Sequence, residues 1–346
     1  MDQDVTTDRM KVVQIGVGGF GAARRNHMRK SGLFDLVAAY DWDEDALESA
    51  REQDGARPVS SYEELLSVPD IEAVIVSTGA KYHADQVIEA ASRGLHVFVE
   101  KPLCATPGEL DRLLEVKEQT GVVIGVGHSD HKHDAIAATI NRLMETGEMG
   151  NVATFEKTTA HSGGLVMGPD EWRADPEKNP GGMLFQCGVH AVHELMFYFG
   201  PISEIFCSMR YDVHETETAD VAMCQLRFSN GMVGTLNAYH VTPYRHTLSI
   251  FGTGANVYRD ERYFDEGTSL MIQRTAMDGS KEPKEPLAIE GEDDPEGNLR
   301  SFYSAVRNGG EPYPSLIDGA RAVAVVFAAA ESAESEEWEP VRRDLI

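Results

Sequence analysis

Cysteine is scarce in this chain: four residues stand at 104, 187, 207 and 224, and no two are close enough to form a CxxC pair. So sparse a set excludes a disulfide-built scaffold and fits reduced thiols in a cytoplasm. Basic residues are also few. Thirty-one Lys and Arg face 57 Asp and Glu, a formal net charge of −26 at pH 7, which repels nucleic-acid phosphates and anionic lipid surfaces. No segment approaches the ~20 uninterrupted apolar residues of a membrane span. The opening MDQDVTTDRM lacks the basic and then apolar pattern of a secretion signal. Nucleic-acid binding, membrane insertion and secretion are therefore not expected.

The composition is otherwise that of a folded globular protein, 42% hydrophobic and 25% charged. At 346 residues the chain exceeds the ~250–300 at which single cores stop growing, so two domains are expected. The acids are spread along the chain, and only ten of the bases are lysines. That balance points to a solvated acidic surface adapted to high salt, where screening removes self-repulsion.

From Lys11 to about Gly127 short apolar runs alternate with helical stretches: VVQI (12–15), LVAAY (36–40), AVIVS (73–77), HVFVE (96–100) and VVIGV (122–126). This is the grammar of a doubly wound parallel sheet of about six strands, a Rossmann-type α/β domain over residues 1–127. After 128 the pattern changes to longer alternating strands. VAMCQLRF and MVGTLNAYHV flank Ser229-Asn230-Gly231, a hairpin signal. An α/β domain with a large, mostly antiparallel open sheet is expected over 128–346, with a last helix near 318–332 that packs back on the first domain. EGEDDPEGN (290–298) reads as a solvated acidic loop.

Gly16-Val17-Gly18-Gly19-Phe20-Gly21 is a GxGxxG between an apolar strand and a helical stretch, and Asp41 ends the next strand 20 residues after Gly21. Gly16 permits the tight turn, Gly18 lets backbone amides approach a pyrophosphate, and Gly21 allows close helix–strand packing. A carboxylate at Asp41 accepts ribose hydroxyls and repels the extra phosphate of NADP, so NAD is the expected cofactor and NADP the lesser one. Lys101 follows the strand HVFVE, at the carboxyl edge where open α/β sheets bind ligands. Further on, GGMLFQCGVHAVHEL (181–195) reads as a Gly-Gly loop entering a helix, with Gln186, His190 and His193 on one face at i, i+4 and i+7.

Taken together these segments resemble the Gfo/Idh/MocA family, the relatives of glucose–fructose oxidoreductase and inositol dehydrogenase, over nearly the whole chain. The matching positions are GVGGFG, Asp41, STGAKYH (77–83), Glu100-Lys101-Pro102, Trp172-Arg173 and the GGxxxxxGxH of 181–190. The resemblance implies NAD(P)-dependent oxidation of a sugar, cyclitol or related polyol. It implies Lys101 and His190 as catalytic groups, and Gly16, Gly18, Gly19, Phe20, Gly21, Asp41, Ser77, Thr78, His83, Glu100 and Lys101 around the cofactor. Gln186, Trp172, Arg173 and His193 would contact substrate, and the open sheet would form a homodimer or homotetramer. Three departures stand out: Gln186 replaces an aspartate common in alcohol-oxidising relatives, His193 stands where they often have another, and STG replaces the usual threonine-proline.

The expected chemistry is hydride transfer from a secondary carbinol, with Lys101 stabilising the alkoxide and His190 accepting the hydroxyl proton. A glycoside-cleaving route through transient oxidation and elimination uses the same equipment, and a non-catalytic NAD-binding regulator is a third reading. His128, His131 and His133 are clustered but offer neither HExxH nor a cysteine pair, so no metal is expected. The acidic surface generates a first test: the melting temperature should rise between dilute and molar KCl, and a flat or falling curve would remove the high-salt reading.

Overall fold

The run AVIV, Ala73–Val76, is buried at every position, as a strand covered on both faces requires. It lies at the middle of a six-stranded sheet in the computed structural model, which describes residues 8–168, 171–261 and 267–345. In chain order this sheet and its helices are β1 Met10–Ile15, α1 Gly19–Ser31, β2 Phe34–Tyr40, α2 Glu44–Asp54, β3 Arg57–Pro58 and α3 Tyr62–Leu66. They continue as β4 Ala73–Val76, α4 Ala80–Ser92, β5 His96–Val99, α5 Pro107–Thr120 and β6 Ile124–Val126. The strand order is β3-β2-β1-β4-β5-β6, and every pairing is parallel.

The order reverses between β1 and β4. That topological switch point is where open α/β sheets form a crevice beyond the carboxyl ends of their strands. Local chemistry sets the helix starts. Asp43 caps α2, Ser61 caps α3, and Thr106 forms a capping box with Glu109 and Pro107 at the head of α5.

The second unit begins with α6, Ala135–Glu145, and β7, Val152–Ala160, followed after a long connection by α7, Val189–Phe199. Strands β8 Ile202–Arg210, β9 Val221–Phe228, β10 Val233–Tyr239, β11 Arg245–Gly252, β12 Ala255–Glu261, β13 Thr268–Arg274 and β14 Glu285–Pro286 then build its sheet. The chain ends with α8, Gly297–Asn308, α9, Leu316–Ser335, and β15, Glu339–Pro340. The nine strands run β14-β13-β12-β11-β7-β10-β9-β8-β15. All pairs are antiparallel except β10 with β7. Asn230-Gly231 turns the β9–β10 hairpin with Gly231 at φ +86°. Along β9, Ala222, Cys224, Leu226 and Phe228 are buried while Met223 points outward.

The chain divides into two compact units: one runs up to Asp130 and takes back Asp294–Gly319, and the other holds His131–Asp293 and Ala320–Ile346. The returning α8 is part of the first unit's core, where Leu299, Phe302 and Ala305 join Met10, Ile75 and Phe98. The Phe98 and Phe302 rings meet edge to face at 5.6 Å.

In the second unit the core carries charge. Glu194 on α7 receives hydrogen bonds from Lys157 on β7 and Arg259 on β12, with both Lys157 and Glu194 buried. Burial alone would push the Glu194 carboxyl up, but Lys157 and Arg259 outweigh it and hold it well below the usual carboxylate range. Its folded pKa lies under the unfolded value, so its contribution is complete above the carboxylate range and is lost as pH falls through it. Glu194→Gln should cost about 3–5 kcal/mol, because two cations lose their buried partner, and should flatten the acid limb of stability against pH. Urea unfolding at several pH values checks this, and an unchanged acid limb would contradict it.

Candidate functional site

The glycine turn between β1 and α1 is built by close approach. Gly16 has φ +78°, and a Cβ there would lie 2.6 Å from the Ser77 carbonyl oxygen; a Cβ on Gly21 would collide with the Gly16 carbonyl. Gln14, fully buried in β1, donates its amide to the Gly16 carbonyl at 2.8 Å and the Gly21 carbonyl at 3.0 Å, tying the two ends of the turn together. Sequence reasoning missed this residue. Its signal was a lone amide in an apolar strand directly before the turn.

Asp41, just beyond β2, accepts from the Val17 N–H at 2.7 Å and the Gly18 N–H at 3.2 Å through one oxygen, and from the Asp43 N–H through the other. It therefore stands beside the turn with a fixed carboxylate. Gly19 and Phe20 are exposed at the head of α1.

Two helices at the switch point begin without a side-chain cap: α1 after Gly18, with no acidic residue in its first turn, and α4 after Gly79. In α2, α3, α5 and α6 an Asp, Ser or Thr side chain fills that role. The free N–H groups and dipole of α1 suit an anionic group such as a pyrophosphate. Ser77 Oγ is buried with no hydrogen-bond partner among the described residues. A cradle that only glycine fits, an uncapped helix start and a carboxylate for ribose hydroxyls together accept a dinucleotide.

On the next strand, Glu100 is buried and pairs with Arg24 of α1, Nε to Oε1 at 2.6 Å, and the Arg24 guanidinium lies over Phe98. Lys101 follows, half-buried. His83 of α4 is buried with Nδ1 2.8 Å from the Pro102 carbonyl and Nε2 2.9 Å from the Thr78 carbonyl.

In the second unit the segment before α7 differs from the expected regular helix. Leu184–Gly188 forms a π-turn that runs directly into α7. Its wider i→i+5 winding displaces the i, i+4, i+7 alignment. Gln186 and His190 are half-buried, whereas His193 is buried beside His131, ring centroids 5.2 Å apart. Burial, with the neighbouring His131, pushes the His193 pKa down to about 3, so that ring stays neutral. Beside Gln186, the Cys187 thiol lies 3.7 Å from His161 Nε2. His161 Nδ1 accepts the Gly163 N–H at 2.9 Å, which places the proton of the neutral ring on Nε2. Deeper in, Asp220 and His240 are buried together at 3.4 Å. Arg173 is exposed, and its carbonyl accepts from Asn179 and Thr218. The Trp172 side chain lies outside the described residues.

Among the described residues no group of three or more His, Cys, Asp or Glu is arranged to hold a metal ion, and no helix is long and apolar enough to cross a membrane. Residues 290–293 are exposed, while Asp293 accepts the Ala135 N–H and Asp294 pairs with Arg300.

The first unit is thus a dinucleotide-binding domain of the Rossmann class. Residues 10–128 match the family described as oxidoreductase family, NAD-binding Rossmann fold, and residues 137–258 match the GFO/IDH/MocA C-terminal domain. The chain belongs to the Gfo/Idh/MocA family and is an NAD-binding oxidoreductase. It is similar to 1,5-anhydro-D-fructose reductase of Ensifer adhaerens, 27% identical over 295 residues that cover 83% of this chain and 86% of the relative. The myo-inositol 2-dehydrogenase of Thermotoga maritima is 24% identical over 341 residues, 94% of this chain and 97% of the relative. A solved oxidoreductase from Desulfitobacterium hafniense, provisionally described as NADPH-dependent, aligns with TM-score 0.90 and 26% identity, covering 96% of this chain and 98% of its own.

The glycine cradle generates a direct test. Gly21→Ala forces a methyl against the Gly16 carbonyl, so α1 must move; stability should fall by about 1–3 kcal/mol and NAD affinity by at least tenfold. Calorimetry that finds wild-type affinity in a folded variant would contradict the placement of the turn.

Proposed function

We propose that this enzyme transfers a hydride between NAD and a secondary hydroxyl of a sugar, cyclitol or related polyol. The observation that carries the reading is the uncapped, glycine-cradled start of α1 at the sheet's switch point, in a chain whose relatives are named as reductases and dehydrogenases of such compounds. Bound NAD supplies the hydride acceptor. The chain's own task is to make the carbinol give up hydride and proton together.

Lys101 is assigned to the substrate oxygen: a half-buried ammonium beyond β5 lowers the energy of a developing alkoxide. His190 is assigned the hydroxyl proton, because a neutral imidazole nitrogen can accept it as the hydride leaves. Gln186 carries no exchangeable charge, so in this reading it orients substrate by hydrogen bonds, with Arg173, Trp172 and His193 lining or supporting the site. Gly16 through Gly21, Asp41, Ser77, Thr78, His83 and Glu100 form or brace the cofactor site, and the carboxylate of Asp41 favours NAD over NADP.

The outer face of the second sheet, where Met223 and Val233 are exposed, supports assembly as a homodimer or homotetramer, and the four thiols, with Cys207 and Cys224 not joined in a disulfide although their sulfurs lie 3.4 Å apart, support a reducing cytoplasmic setting.

Screening sugars, cyclitols, sugar acids and glycosides with NAD in high salt tests the reaction. Net NADH from a polyol supports it, whereas aglycone release without net NADH would replace it with oxidation–elimination. On the substrate so found, Lys101→Ala and His190→Ala should each lower turnover by ~10²–10⁴ while NAD binding survives. Wild-type turnover in either variant would refute that residue's role.

A further inference from the structure

The His83 ring has two partners and both are carbonyl oxygens, Pro102 O at Nδ1 and Thr78 O at Nε2. A carbonyl only accepts, so each contact requires an N–H, and a neutral imidazole has one. Either the ring carries two protons and holds both carbonyls, or one contact sets a nitrogen lone pair against an oxygen lone pair. Its partners sit on two different segments: Thr78 lies on the turn after β4, and Pro102 is the residue after Lys101.

We propose that His83 is a positioning residue for Lys101: its doubly protonated ring clamps the Lys101-Pro102 turn to the Thr78 turn, and loss of one proton releases one side of the clamp. The inference rests on the assignment of Lys101 to the substrate oxygen.

The surroundings supply what such a cation needs. The charged groups facing the ring are Glu100, after β5, and Glu109, in the first turn of α5. Glu100 gives one oxygen to Arg24, while its other oxygen, Oε2, is buried without a hydrogen-bond partner among the described residues. Glu109 is held by the Ala105 and Thr106 N–H groups. Burial pushes the His83 pKa below that of a free histidine, against the two carbonyls and the two glutamates, which push it up. The clamp is therefore closed on the acid side of the ordinary histidine range and held by a single hydrogen bond on the alkaline side. The position of the lysine becomes a function of pH through the protons on His83.

The test uses the full-length protein. Nitrogen-15 NMR of the wild type should show two protonated ring nitrogens on His83 at acid pH and one at alkaline pH; a single-proton ring throughout would overturn the clamp, whether or not any variant folds. In parallel, H83Q offers an uncharged amide that cannot change protonation. On the acid side its kcat should be about tenfold below wild type, measured at saturating NAD, in line with misplacement of a reacting group. The wild-type to variant ratio of kcat should then shrink as pH rises, a trend that loss of fold stability alone does not produce. An equal kcat, or a ratio independent of pH, would overturn the positioning role. The two readings fail separately: full turnover in Lys101→Ala removes the lysine's role and leaves the NMR result standing, whereas a singly protonated His83 removes the clamp and leaves the Lys101 assignment intact.

Discussion

No side chain fits between Gly21 and the Gly16 carbonyl, and that contact governs the first unit. Because α1 can press directly on the turn, its first N–H groups stand open at the carboxyl end of β1, beside the point where the strand order reverses. Gln14 holds the contact from below by bonding both glycine carbonyls, and Asp41 holds it from the side through the Val17 and Gly18 amides. A backbone arranged in this way binds an anion with main-chain donors, so binding depends less on which side chains line the turn than on the absence of side chains at two positions.

The second unit solves a different problem. Its sheet buries one face, and α7 lies across it bearing Glu194 among Lys157 and Arg259. A buried carboxylate with two cationic partners is a weak source of net stability, yet removing any one member exposes the others to an uncompensated environment. The arrangement joins α7 to β7 and β12 through directional contacts. It thereby fixes the helix that presents His190.

Much of this was legible in the sequence. Parallel strands buried on both faces leave unbroken apolar runs, so β1, β2, β4, β5 and β6 could be read directly, and Asn230-Gly231 disclosed its hairpin. The less legible features are those that depend on partners distant in sequence. Lys157, Glu194 and Arg259 look like ordinary surface charges until the fold brings them together. The π-turn at Leu184–Gly188 follows the same residue spacing as a regular helix start and differs only in winding, so one expected helix face became two environments, half-buried for Gln186 and His190 and buried for His193. His83 could be placed near the cofactor turn from its motif. That its two nitrogens face two carbonyls could not.

The return of Asp294–Gly319 to the first unit bears on how the protein is made. Phe302 fills the space beside Phe98, Asn298 receives the Arg24 guanidinium, and the Asn298 amide donates to the His128 carbonyl. Phe302 and Asn298 leave the ribosome only after strands β7 to β14 have been synthesised. The nascent Rossmann half therefore waits through some 160 residues of elongation with its core open along the α8 side. During that interval the positions that Leu299, Phe302 and Ala305 fill in the first unit's core stand open, so the cofactor-binding half cannot close its core before residue 319 or so is made.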